Sequence, residues 1–270
     1  MLVAGIEMTS EQLRKISSWF DSFVATFRGQ TSAEQRNYEL KIVHTRQVRA
    51  LSERLAASLD FTPKERAQAA AIALCHDVGR FPQYQRYGTF NDAASTNHAT
   101  LALQTLKTEG ILYPLAEEEQ SVLLAAVALH NVFILPPQLD PLVRRFAMLI
   151  RDADKLDIWR VMIENCAAAP EKRASAVFLE LPETGLCSAQ ALQEVIAGRM
   201  PNRELLATVD DIKLLQLSWA YDLNFVESFR IMSERGYLES LEGLLPDQPG
   251  CREAVGVVRA FVRARLARSF

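Results

Sequence analysis

The sequence is poor in several features that would classify it at once. Its four cysteines, Cys75, Cys166, Cys187 and Cys251, are widely scattered and contain no CxxC pair. That excludes a disulfide framework and a thiolate-rich metal site, and small, reduced, buried thiols are the simplest reading. No apolar run reaches the roughly 18 residues a membrane helix needs. The start, MLVAGIEMTSEQ, lacks a basic segment followed by a long apolar one, so a soluble, cytoplasmic protein with no membrane partner is expected. Neither charge is in excess, since 30 Lys and Arg stand against 33 Asp and Glu for a net charge of −3. A broad basic face for extended nucleic acid is therefore not expected, and any anion site must be local. There is no internal repeat, no low-complexity segment and no alternating run that argues for a sheet.

What is present is helical periodicity over most of 270 residues, of which 49% are hydrophobic, enough for a substantial core. Helix starts are marked by capping-box spacings, Thr9 with Gln12, Ser32 with Gln35 and Thr62 with Glu65, and by Pro63 and Pro141 at first helical positions. The pattern predicts helices near 9–27, 33–59, 63–77, 96–109, 115–131 and 141–165, then near 188–198, 203–235 and 250–268. The fold class expected is all-α, a helical bundle. Between 166 and 187, Pro170, Pro182 and Gly185 interrupt the pattern. This divides a helical domain over 1–170 from a C-terminal helical extension over 171–270, either a separate part or a continuation of the same domain, with SAVFLELPETG a candidate short extended piece. Gly79–Ser95 reads as a long loop, and with Phe81, Tyr84, Tyr87 and Phe90 it is too aromatic to be disordered.

Four histidines fall on four successive predicted helices. His44 has Leu40 four residues before it and Val48, Leu51 and Leu55 after it on the same face, so it projects from an apolar stripe. His76 and Asp77 end the third helix, whose body RAQAAAIALC is featureless enough to be buried, with Gly79 as a helix stop. His98 begins the next helix and His130 ends the one after. Residues 141–165 supply carboxylates in RRFAMLIRDADKLDIW. Asp154 and Asp157 share the apolar stripe, whereas Asp152 shares a flank with Arg145, Lys155 and Trp159. A buried carboxylate costs several kcal/mol unless it is paired or binds metal. Asp154 is the preferred ligand and Asp152 the alternative. Each residue alone has a plainer explanation, a hydrogen-bonded core histidine or a salt bridge to Lys155 or Arg80. It is the joint pattern, on faces and ends compatible with one centre, that points to metal.

The ordered set His44, His76 with Asp77 in HDVGR, His98, His130 and Asp154 in ADKLD resembles the HD-domain superfamily of metal-dependent phosphohydrolases, over roughly residues 38–165. The resemblance implies an all-α bundle. His44, His76, Asp77 and Asp154 match that family's core ligands, and His98 and His130 match the additional histidines of members with a second metal. Subgroups acting on cyclic dinucleotides have a lysine where Arg80 stands, so the substrate does not carry over.

Imidazole and carboxylate ligands suit one or two divalent ions among Mn, Fe, Co, Ni, Zn and Mg. Such an ion provides a metal-bound hydroxide near neutral pH. Asp77 is the natural bridge between two ions, and Arg80 and Lys155 are the leading candidates to grip phosphate, ahead of Arg46 and Arg86. Tyr84, Tyr87 and Phe90 are either a stacking platform for a base or, more simply, a small core. Asn91, Asp92 and Asn97 are substrate contacts or caps, with capping the favoured role of Asn97. The expected partner is a small phosphorylated substrate, a nucleotide first among them. Two other readings stay open: a di-iron oxygenase using the same six residues, and a helical signalling module without catalysis. Residues 188–270 are apolar enough to close over the site, to pair subunits in a homo-oligomer or to bind a partner, core packing being the commonest outcome.

Overall fold

The computed structural model describes residues 6–169, 172–178 and 181–267. These are all-α, with no strand among the described residues. In order the helices are α1 Ser10–Val24, α2 Ser32–Ser58, α3 Pro63–Cys75, α4 Arg80–Tyr87, α5 His98–Glu109, α6 Glu117–Leu129, α7 Pro141–Ala167, α8 Ala189–Ile196, α9 Val209–Ser218, α10 Val226–Glu234, α11 Tyr237–Leu244 and α12 Pro249–Ala267. The chain divides into two compact units, Met1–Asp154 and Lys155–Phe270. The division falls inside α7, ahead of the 170/171 position read from sequence, because α7 runs unbroken from its Asp140 cap until shortly before Pro170.

In the first unit α3 is the central helix, packed against α1, α2 and α6. Every residue from Ala67 to Cys75 is buried, and its alanines keep the helix thin enough for neighbours to come close. Its start is fixed by the expected capping box of Thr62 and Glu65, with Pro63 in the first turn. The Thr9 and Gln12 box also forms. At α2 the cap is Thr31 rather than Ser32, its hydroxyl accepting from Glu34 N, while Gln35 Oε1 instead accepts from Gly29 N.

The stretch Gly79–Ser95, read from sequence as a loop, is mostly helical. It forms α4 and then a single 3-10 turn, Asp92–Ala94. Pro82 lies in the first turn of α4, where a missing N–H breaks no helical hydrogen bond. Gly88, at φ 67°, closes the helix in the left-handed conformation that favours glycine. Phe81 and Tyr84, three apart, face inward: the Phe81 ring centroid lies 5.5–6.5 Å from those of Phe20, Phe23, Phe27 and Tyr38. Tyr84 packs 4.8 Å from Phe90, and its hydroxyl accepts a 2.7 Å hydrogen bond from Asn37. These aromatics are therefore core, and only Tyr87 is exposed. Gly79 is not a left-handed stop. At φ −65° it begins α4 against α5, and a Cβ there would lie 2.1 Å from His98 O and 2.4 Å from Ala102 N.

In the second unit α12 packs on α8, α9 and α10. Trp159, on the C-terminal part of α7, is fully buried and donates to Gln216 O at 2.9 Å. The continuous helix expected over 203–235 is broken. Thr208 and Asp211 form a capping box that starts α9, and extended backbone at Leu223 and Phe225 separates the 3-10 turn Trp219–Asp222 from α10. SAVFLELPETG begins with a 3-10 turn, Ser175–Phe178, and its residues 179–180 lie outside the described residues. All four cysteines are free thiols, three of them buried. No helix among the described residues is long and apolar enough to cross a membrane.

Candidate metal centre

The first unit brings together all six residues of the His/Asp set. His44 is one turn along the buried face of α2 from Lys41. His76 caps the C-terminus of α3, and Asp77 follows it in the turn to α4. His98 is the first residue of α5, which Asn97 caps by accepting from Ala99 N and Thr100 N. His130 caps the end of α6, and Asp154 lies on α7. Helix ends give His76, Asp77, His98 and His130 rigid backbones, while His44 and Asp154 project from the middle of long helices.

Asp77 is the hub. Its Oδ2 lies 3.6 Å from His44 Nε2 and 3.9 Å from His76 Nε2. Its Oδ1 lies 3.4 Å from His98 Nε2 and 3.9 Å from His130 Nε2. Two groups result, His44 with His76 and Asp77, and Asp77 with His98 and His130, each with its donor atoms within 4.8 Å of one another. Asp154 completes the first group, with Oδ1 3.0 Å from His44 Nε2 and 3.7 Å from His76 Nε2.

Three imidazoles have their tautomer dictated by what faces Nδ1. His76 Nδ1 meets Ala73 O at 2.7 Å, His130 Nδ1 meets Val127 O at 2.7 Å, and His98 Nδ1 meets an Asp92 carboxylate oxygen at 2.7 Å. A carbonyl or carboxylate oxygen only accepts, so Nδ1 carries the proton and Nε2 presents a lone pair. His76 Nε2 is buried with no hydrogen-bond partner. His98 Nε2 and His130 Nε2 face each other at 2.9 Å. A proton between them would require a buried imidazolium. Burial, reinforced by the neighbouring His98 and His76, pushes His130 down to about 3, and burial together with Arg80 lowers His98. Two lone pairs held this close are matched by a cation.

The carboxylates stay ionised. Burial alone would raise Asp77, but the charges of Lys41 and Arg80 outweigh it and hold it well below the usual range. Asp154 is likewise held low against its burial, His44 foremost among the groups beside it. The donor set is imidazole and carboxylate only: the Cys75 thiol, next to His76 in sequence, is pushed up to about 12 by burial and stays protonated. Such a set fits a divalent metal ion.

The other expected site residues fare differently. Arg80 reaches Asp77 Oδ1 at 3.3 Å through Nε, while its Nη1 donates to Phe90 O at 2.6 Å and to Gln83 and Asp92 at 3.0 Å. Lys155 belongs to the second unit, where its Nζ is 2.8 Å from Asp222. Asp157 is also there, paired with Arg160 at 2.7 Å. Arg46 pairs with Asp21 on the surface and Arg86 is exposed. At the centre one residue went unnoticed in the sequence and another takes a different role. Lys41 places Nζ 2.8 Å from Asp77 Oδ2, and Lys-x-x-His on one helix was its available signal. Asp92, read as a cap or substrate contact, orients His98, as metal-binding histidines are commonly oriented by a carboxylate.

In comparison with protein families, the HD domain matches residues 42–159, a span that contains all six clustered residues. Over those residues the chain is similar to the HD domain. HD domains form a superfamily of metal-dependent phosphohydrolases, and the His/Asp cluster of this chain fits the binding of metal. Nothing matched among curated proteins or among solved structures.

Proposed function

We propose that this protein is a metal-dependent phosphohydrolase that cleaves a small phosphoester, with nucleotides as its substrate class. The observation that carries the reading is the opposed pair of Nε2 lone pairs of His98 and His130, 2.9 Å apart beside the Asp77 carboxylate. His44, His76, Asp77 and Asp154 would hold one ion, and Asp77, His98 and His130 a second. A divalent ion so held supplies Lewis acidity toward a phosphoryl oxygen and lowers the pKa of a bound water from 15.7 to about 7.

The chain's own contribution is orientation. The carbonyls of Ala73 and Val127 and the Asp92 carboxylate lock three imidazoles in the tautomer that offers Nε2. Arg80, its guanidinium engaged by Asp77, Gln83, Phe90 and Asp92, acts as a positioning residue that ties the Asp77 turn to the segment before α5. Burial of the cluster keeps competing water away from the carboxylates, where each electrostatic interaction is stronger than in bulk solvent.

The test is phosphate or nucleoside release from a panel of nucleotides, cyclic nucleotides and phosphomonoesters, with Mn, Co, Ni or Mg added, wild type beside Asp77→Ala. Hydrolysis that needs a divalent ion and vanishes in the variant supports the reading. A metal-loaded wild type that hydrolyses nothing on the panel overturns it, and its iron content and oxygen consumption then become the measurements to make.

A further inference from the structure

Two cations stand within ion-pair distance of Asp77, Lys41 at Oδ2 and Arg80 at Oδ1. They are held very differently. Arg80 donates to three further protein acceptors and is fixed in place. Lys41 has only 15% of its side chain exposed and points its ammonium at the oxygen that faces His44 and His76, the oxygen the first ion would take. Its Nζ stands over the Phe90 ring, 5.5 Å from the ring centre.

An ammonium and a divalent ion repel, and one carboxylate oxygen cannot serve both at full strength. Lys has a flexible four-carbon stem and three freely rotating donors, whereas the planar guanidinium of Arg80 is committed. From this we infer that Lys41 is a substrate-binding residue: it occupies the Asp77 oxygen in the metal-free protein, leaves it when the ion binds, and offers its ammonium to the phosphate of the substrate. The inference rests on the phosphohydrolase reading and adds to it the residue that grips the anion. It also makes metal and phosphate binding cooperative, because the ion frees the group that phosphate needs.

The experiment takes the full chain, wild type beside Lys41→Met and Lys41→Arg. Each is titrated calorimetrically with Mn2+, and then, Mn-loaded, with inorganic phosphate. Lys41→Met is expected to take up Mn2+ at least as tightly as wild type, since a competing cation is gone. It is expected to bind phosphate at least about tenfold more weakly, the loss of a hydrogen bond to a charged group, with Lys41→Arg restoring most of the affinity. A lysine that merely neutralises Asp77 would lower the melting temperature of the metal-free variant and leave phosphate affinity of the loaded protein unchanged; that result overturns the inference. If Lys41→Met does not fold, Lys41→Gln, which still donates to Asp77, carries the same comparison. Wild type that takes up Mn2+ and binds no phosphate removes the phosphohydrolase reading itself. Wild type that binds phosphate while the neutral variant binds it equally well removes only the role of Lys41.

Discussion

Replacing Asp92 by asparagine tests whether the second ion depends on a group that never touches it. The Asp92 carboxylate accepts from four donors: Oδ2 takes His98 Nδ1 at 2.7 Å and Asn131 Nδ2 at 3.5 Å, and Oδ1 takes Arg80 Nη1 at 3.0 Å and Gln83 Nε2 at 2.9 Å. An asparagine amide has one accepting atom in place of two. Whichever way it turns, an NH2 group meets a donor: either His98 loses the acceptor that fixes its tautomer, or Arg80 and Gln83 lose theirs. A hydrogen bond to a charged group contributes about 1.5–3 kcal/mol, which converts to roughly 10- to 100-fold in affinity. That matches the roughly 10- to 100-fold cost of removing the partner of a metal-binding histidine. The prediction is specific to one half of the centre. Calorimetry with Mn2+ near pH 7.5 should show the site of Asp77, His98 and His130 weakened by that factor, and the site of His44, His76, Asp77 and Asp154 close to wild type. Wild-type affinity at both sites in a folded Asp92→Asn protein would refute the reasoning, and equal weakening at both would show that Asp92 acts on the fold and not through His98.

Three further outcomes are expected. Gly79→Ala places a Cβ 2.1 Å from His98 O and 2.4 Å from Ala102 N; forcing α4 from α5 costs about 3 kcal/mol or more, and the melting temperature should fall by roughly 6 °C or more, an unchanged value showing that the close approach is absent. Divalent metal at about 100 times its dissociation constant should stabilise the protein by about 2.7 kcal/mol, raising the melting temperature by roughly 5 °C or more, and a chelator should reverse the shift; no shift would contradict a site preformed in the fold. Because burial holds His130 down near 3, below the ordinary 6.5, its neutral form stabilises the fold above about pH 6.5, and that contribution is lost progressively as pH falls toward 3. Asp77 and Asp154, held low, add a loss of the same sign below about pH 4, so the urea midpoint of metal-free protein should drop between pH 7 and pH 4.5, and a midpoint independent of pH over that range would refute the burial of neutral imidazole.

The centre was legible in the sequence because its residues obey helical geometry. His44 lies on an apolar stripe and the other three histidines mark helix ends, so their order alone places them on successive elements around a common core. What was not legible depends on tertiary approach. Pro82 between two glycines reads as a break, yet in the first turn proline costs nothing, and the buried residues of α4 are four consecutive ones, Phe81 to Tyr84, which show no helical period. Asp92 lies in a segment without periodicity, and only the fold of α4 against α5 brings its carboxylate to His98. Lys155 follows Asp154 directly, but adjacent residues on a helix point about 100° apart, and its ammonium meets Asp222 instead. Lys41 had the right spacing from His44, but a lysine on a helix usually faces solvent and nothing in the sequence marks this one as turned toward a carboxylate.

The electrostatics of the centre argue for the sequence of events in binding. Three carboxylates, Asp77, Asp92 and Asp154, stand against two cations at ion-pair distance, Lys41 and Arg80, and the imidazoles present neutral nitrogens. These groups together leave one negative charge, which favours a metal ion and opposes an anion. One divalent ion turns the balance positive by one, and two turn it positive by three. In a buried site of low effective dielectric this reversal is felt strongly. A phosphoester is therefore repelled by the metal-free centre and attracted by the loaded one, so metal binding must come first, and excess phosphate alone should neither bind nor stabilise the chelated protein.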